Sequence, residues 1–193
     1  MDFTDPAFLT RLRERDAEAI SALVRAYSRE LYRAARGAGL AHDTAEDVVQ
    51  STLVVLLESV DRFEGRSAVR TWLFGILYNK IREQRRDLLR VAEQDPIDEV
   101  IESRFKTNGM WLRPPKDIEK GIAESEFRAH LQECLEALPS LHRSVFHLRE
   151  IEEMSTEDIG NILEISITNS AVALHRARHK LRECLESKRV GPR

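Results

Sequence analysis

The sequence predicts an all-α protein: two small helical domains joined by a linker, the second carrying a helix-turn-helix. Three observations lead there. Apolar residues recur at helical spacing wherever the chain has a period, and no strand-like alternation stands out. Residues 91–122 break that period with Pro96, Gly109, Pro114, Pro115 and Gly121, as a linker does. Charge is also laid down in blocks. Residues 2–61 carry a net −4, 62–90 a net +5, 93–164 a net −9 and 165–193 a net +5. Two basic blocks about 80 residues apart, each preceded by an acidic stretch, are the electrostatic footprint of polyanion binding, whereas one alone would pass for a solvated helix face. The expected domains are 1–90 and 123–193, with 91–122 between them.

In the first domain, Ile20, Leu23, Val24, Tyr27 and Leu31 follow helical spacing until Gly37-Ala38-Gly39 stops the helix. Asp43-Thr44-Ala45-Glu46 has the form of a capping box and opens a helix carrying Val48, Val49, Leu53, Leu56 and Val60. Ser67 is placed to cap a third helix with Trp72, Leu73, Ile76, Leu77 and Ile81. Phe105, Met110 and Trp111 are unusually apolar for a free linker, so part of it is expected to dock. Helix resumes near Ala123, ends at Leu138-Pro139, and returns from about Leu141 to Ile151. Ser155-x-x-Asp158 caps a short helix. The break "EISI" then leads into a final basic helix, and a short helix, tight turn and basic helix form a helix-turn-helix.

Of 193 residues, 42% are hydrophobic and 33% charged, enough apolar surface for a core and enough charge for solubility. No apolar run approaches the roughly 18–20 residues of a membrane span, and "MDFTDPAF" lacks the basic start and apolar core of a signal peptide. The expectation is a cytoplasmic protein with no membrane partner, and the only cysteines, Cys134 and Cys184, suit a reducing compartment. His130 and Cys134, four apart, could share a metal, with His179 and Cys184 completing a site, and helix packing could bring Cys134 near Cys184. A cysteine at an apolar helical position is more often just buried. Neither a cofactor nor a metal is expected. With no Ser-His-Asp-like order, phosphate-cradling glycine loop or acid pair, the chain does not read as an enzyme.

Four stretches together carry a resemblance. "AEDVVQSTLVVLL" (45–57), "RFEGRSAVRTWLFGILYNKIREQRR" (62–86), "ALPSLHRSVFHLREIEEMSTEDIGNIL" (137–163) and "LHRARHKLRECLE" (174–186) resemble, in that order, a bacterial RNA polymerase sigma factor of the extracytoplasmic-function branch. The resemblance implies a subunit that binds core RNA polymerase and directs promoter-specific initiation. Its C-terminal domain would read the upstream −35 element, and its N-terminal domain would melt the −10 element. It also implies promoter DNA as a partner and an anti-sigma factor as a restraint.

Candidate residues follow. Asp47 and Gln50, three apart, share a helix face, which the resemblance turns toward the clamp helices of the polymerase's largest subunit. Reading a melted base calls for an apolar wall, a polar reader and basic residues along the backbone. Phe63 and the loop through Ser67 would supply the wall, Asn79 the reader, and Arg62, Arg66, Arg70, Lys80, Arg82, Arg85 and Arg86 the charge. Trp72 reads as core. On the last helix, a 100° count puts Ser170, Leu174, Ala177 and Leu181 on the face that packs against "EDIGNIL". Asn169, Val172, Ala173, Arg176 and Lys180, with Thr168, fall on the face assigned to the major groove. Asn169 would pair with adenine, Val172 and Ala173 would touch thymine methyls, and Arg176 and Lys180, flanked by Arg178 and Arg182, would grip phosphates. Where the family pattern has polar or basic residues, Ala171 and Ala173 stand here, which predicts an A·T-leaning element read partly by shape. The nearest alternative is a stand-alone helix-turn-helix regulator that does not bind core polymerase. A small helical metal protein and an interaction scaffold are more distant.

Overall fold

The structure, a computed structural model, describes residues 3–84 and 124–189. The expected linker, with Phe105, Met110 and Trp111, lies outside the described residues, as do Arg85 and Arg86. Among those described there are eight α-helices and no strand: α1 (Pro6–Arg13), α2 (Ala17–Gly37), α3 (His42–Ser59), α4 (Val69–Gln84), α5 (Glu124–Glu136), α6 (Ser140–Glu150), α7 (Thr156–Leu163) and α8 (Ile167–Arg189), with one 3-10 turn at Val60–Arg62. The first four helices form the N-terminal domain and the last four the C-terminal one.

Helix ends show where local chemistry dominates. The sequence reading passed over α1, although Asp5-Pro6 announces it: Asp5 accepts from the Ala7 N–H at 2.9 Å and proline occupies the first turn. Helix α2 ends at Gly37, and the chain turns through Gly39 at φ 90°, a conformation open to glycine. That early turn moves the start of α3 to His42, with Ala41 as its cap and no side-chain cap bond. The expected capping box is therefore not formed, and Asp43 lies in the first turn. Nor does Ser67 cap α4: its hydroxyl donates to the Ala68 carbonyl at 3.3 Å. The cap at Ser155 is present, accepting from the Asp158 N–H at 3.0 Å.

The two domains close on each other. Helix α4 packs along α7 and α2 along α6, and Phe74, Leu77 and Ile81 share one continuous hydrophobic cluster with Leu148, Ile159 and Ile162. At ~25 cal/mol per Å2 of apolar surface, burying one such side chain contributes about 2 kcal/mol. A polar clasp sits beside this cluster. The Glu152 side chain, 1% exposed, accepts from Arg70 Nη2 at 2.7 Å and from Arg33 Nη2 at 3.4 Å, while Arg70 Nη1 reaches the Glu152 carbonyl at 2.8 Å. Thr71 Oγ1 bonds Asp158 at 3.1 Å, and Arg82 bonds Glu164 at 2.6 Å and the Leu163 carbonyl at 3.1 Å. Gly37 fits directly under the His147 ring: a Cβ there would come within 2.2 Å of Nδ1. The absence of a side chain at Gly37 is what lets the domains approach this closely.

A second, smaller core joins α5 to α8 through Cys134, Leu138, Ala177, Leu181 and Leu185. The expectation of two simply buried cysteines is corrected here, since Cys134 and Cys184 form a disulfide with Cα atoms 5.8 Å apart. The side-by-side packing of α5 and α8 brings together two residues 50 apart in sequence. By the chain-entropy account, closing a loop of that length stabilises the fold by about 4 kcal/mol.

Candidate nucleic-acid interface

Helix α3 separates its faces cleanly. Val48 and Val49 are buried, while Asp47 and Gln50 are exposed as expected. The exposed face continues one and two turns on, through Val54 at 52% and Leu57 at 44% exposure. The helical period in the sequence singles out Val48, Val49, Leu53, Leu56 and Val60, and neither of these two apolar side chains. Asp47, Gln50 and Val54 line one shallow hollow with Lys80 of α4.

The residues assigned to melted DNA divide. Arg62, Arg66, Ser67 and Asn79 are exposed. Phe63 is not an open wall: it is 6% exposed, its ring stacks on Trp72 with centroids 4.7 Å apart, and its carbonyl accepts from Arg13 at 2.8 Å. Two of the basic groups are engaged by the C-terminal domain, Arg70 by Glu152 and Arg82 by Glu164. Lys80 pairs with Glu83 at 2.8 Å and Arg66 with Glu64 at 2.5 Å. Both of those pairs lie within the N-terminal domain.

The helix-turn-helix is present in detail. Glu164 ends α7 at φ 57°, in the left-handed region, and the Ile165 N–H returns to the Gly160 carbonyl at 3.0 Å. A Cβ at Gly160 would stand 3.0 Å from the Ile165 carbonyl oxygen, so glycine lets the turn close. Ser166 caps α8, its hydroxyl accepting from the Asn169 N–H at 3.1 Å. The expected packing face is buried at Ser170, Ala177 and Leu181 and partly so at Leu174, but only Leu174 packs on the cluster that holds Ile159, Ile162 and Leu163, whereas Ala177 and Leu181 belong to the smaller core with Cys134 and Leu138. The expected groove face differs. Thr168 and Asn169 are exposed and Val172 and Lys180 half-buried, but Ala173 is 4% and Arg176 9% exposed. Helix α8 is packed by α5, α6 and α7 together, so it buries more than the single stripe a period count assigns. Arg178 is exposed and pairs with Glu150 of α6, Nε to Oε1 at 3.0 Å.

Electrostatics concentrate at the domain junction. Burial pushes the Glu152 carboxyl above the ordinary carboxylate range, against the downward pull of Arg33 and Arg70. Burial, helped by the Arg33 charge, lowers the His147 imidazole to about 4, and its Nε2 lies 3.4 Å from Glu152. The imidazole is therefore neutral near pH 7. Neither residue was singled out from the sequence. Its only signal was an acid, Glu152, in the turn before a capped helix, and burial cannot be read from that.

Comparison with known proteins supplies the rest. Residues 23–91, covering most of α2 and all of α3 and α4, match the model for Sigma-70 region 2, and residues 128–181, covering most of α5–α8, match Sigma-70, region 4. A "Probable RNA polymerase sigma factor" of Haemophilus influenzae is 34% identical over 153 residues, which cover 76% of this chain and 79% of that protein. The chain belongs to the RNA polymerase sigma factors of the extracytoplasmic-function type. The ECF RNA polymerase sigma-E factor of Haemophilus influenzae is 28% identical, with 92% of this chain and 93% of that one aligned. The fold also matches a solved sigma factor, RpoE of Bartonella quintana in complex with the anti-sigma factor NepR, at TM-score 0.61 and 24% identity over 89% of this chain and 98% of that one. As a sigma factor the chain acts in transcription initiation, and no described helix is long and apolar enough to cross a membrane.

Proposed function

We propose that this sigma factor binds core RNA polymerase through the α3 face centred on Asp47 and Gln50, extended by Val54 and Leu57. Arg62, Arg66, Ser67, Asn79 and Lys80 then meet the melted −10 strand, with Arg70 and Arg82 joining once released from the C-terminal domain. Helix α8 enters the −35 major groove at its capped N-terminal end, led by Thr168 and Asn169, with Val172, Lys180 and Arg178 behind. The closed pair of domains is the resting form, because it engages Arg70 and Arg82 with Glu152 and Glu164 instead of phosphate. The chain works in the cytoplasm, carries out no chemical step itself, and is restrained by an anti-sigma partner, a reading supported by its likeness in fold to an RpoE solved in complex with the anti-sigma factor NepR.

The observation that carries this reading is the shared hollow of Asp47, Gln50, Val54 and Lys80. It sets a surface suited to a protein partner directly beside a cation suited to DNA, as required of a subunit that holds polymerase and an opened strand together. A stand-alone helix-turn-helix regulator would leave the α3 face without a role.

Competition for core polymerase tests it. Asp47→Lys lies on an exposed face, so it should cost less than ~0.5 kcal/mol of stability. It is expected to weaken competition against another sigma factor by at least tenfold. Undiminished competition by a folded Asp47→Lys chain would remove α3 from the interface.

A further inference from the structure

The geometry points to the Cys134–Cys184 pair as a reversible thiol–disulfide exchange site whose oxidation state sets how firmly α5 is held on α8, and so how well the C-terminal domain binds DNA. The second half of that inference rests on the reading of α8 as the upstream-element helix.

Four observations support it. Cys134 and Cys184 are bonded in a protein proposed above to work in the cytoplasm, where thiols are kept reduced and disulfides are usually transient and redox-sensing. The two sulfurs sit in unequal surroundings. Cys134 is 1% exposed, whereas Cys184 is half-buried, one turn from the end of the basic helix. An incoming thiolate therefore has one accessible target. The core around the bond is small and separate from the main cluster, so few other groups hold α5 in place. Besides the disulfide these are Leu138, Ala177, Leu181 and Leu185, with Phe127, Leu131, Leu135 and Phe146 packed against them, an ion pair between Lys188 and Glu133, and a bond from Arg143 to the Glu136 carbonyl. Finally, α5 has room to move. On its other side a cavity of about 700 Å3 separates Leu131, Leu135 and Phe146 from Gly37, Leu40 and Ala41 of the N-terminal domain.

The chemistry is ordinary thiol exchange. A small-molecule thiolate attacks Sγ of Cys184, forming a mixed disulfide. The Cys134–Cys184 bond breaks, and Cys134 leaves as a thiolate that takes up a proton. A second thiol then attacks the sulfur of the mixed disulfide that came from the small molecule. This releases Cys184 as a thiol and the reductant as its own disulfide, so two electrons and two protons have passed to the protein. A small-molecule disulfide reverses each step. In the oxidised form α5 is stapled to α8 and the helix-turn-helix rests on a complete four-helix domain. In the reduced form α5 is held only by its apolar contacts, the Lys188–Glu133 pair and the bond from Arg143 to the Glu136 carbonyl, so it loosens toward the cavity and α8 loses part of its support.

The test uses the full chain in buffers of reduced and oxidised glutathione at varied ratio. Three quantities are read: free thiols by alkylation, hydrogen exchange of residues 124–136, and affinity for duplex DNA carrying a mapped upstream element. Going from oxidised to reduced, free thiols should rise from zero to two, exchange in α5 should quicken at least tenfold, and DNA affinity should fall about tenfold. All three should return on reoxidation. Cys184→Ala should behave as the reduced form at every ratio. Should that variant fail to fold, the reduced wild-type chain gives the same comparison. Exchange and affinity that differ less than twofold between the two forms would overturn the proposal, as would thiols that stay reactive at every glutathione ratio. Faster exchange in α5 with unchanged DNA affinity would overturn the functional half and leave the exchange site standing. If neither form binds any upstream element, the reading of α8 fails instead, and the exchange data still decide the thiol site.

Discussion

Glu152→Ala is expected to open the two domains. The substitution removes the carboxylate that Arg70 and Arg33 share across the junction and leaves both guanidinium groups beside a closed apolar seam. Removing one partner of a buried pair costs about 3–5 kcal/mol. The Arg70 and Arg33 side chains are 30% and 47% exposed, so water relieves part of that cost. About 2 kcal/mol against the closed form is a fair expectation, roughly a thirtyfold shift toward the open one. Small-angle scattering should show a larger radius of gyration. A single-stranded −10 oligonucleotide should bind about tenfold more tightly, since Arg70 and Arg82 are then available to phosphate. Unchanged scattering together with unchanged oligonucleotide affinity would mean that the clasp does not govern closure.

His147 should make the closed form acid-labile. Its folded pKa, about 4, lies below the ordinary histidine value of 6.5. A depressed histidine contributes stability that is fully present above pH 6.5 and is lost as pH falls toward 4. A shift of that size corresponds to about 3 kcal/mol at most. Glu152 acts in the opposite sense, since its raised pKa favours the folded state as it takes up a proton. The wild-type profile therefore mixes both effects, and the difference between wild type and His147→Gln isolates the histidine. In denaturation at pH 7.5, 6, 5 and 4 the wild-type midpoint should fall progressively relative to that of the variant, because only the wild type must protonate a buried imidazole. Parallel profiles down to pH 4 would show that His147 does not titrate in this window.

Much of this was legible in the sequence because helical period is a local property. The residues that mark α2, α3, α4 and α8 are buried or partly buried in the structure, and Ser155 caps α7 as its spacing to Asp158 requires. What escaped depends on which surfaces meet. Asp43 has the pattern of a cap but loses that role, because Gly39 turns the chain early and α3 begins at His42. Ala173 and Arg176 fall on the expected groove face by angle, yet three helices pack around α8 and cover them. Phe63 has the chemistry of a stacking wall but uses it on Trp72. Glu152, one acid among many, becomes central only because α4 and α2 close over it, and Gly37 matters because of a ring 110 residues away in sequence. The sulfur pair was visible as a chance of proximity, but its bond depends on the register between α5 and α8, which no local pattern carries.

Start-site mapping tests the central claim most directly. Core RNA polymerase is incubated with genomic fragments, with and without this chain, and every new transcript start is mapped. The account predicts a discrete set of starts that appear only with the chain and share two upstream sequence blocks at constant spacing, the farther one rich in A·T pairs. No start beyond those of core enzyme alone, while the chain by itself binds duplex DNA with sequence preference, would contradict it and leave a stand-alone helix-turn-helix regulator in its place.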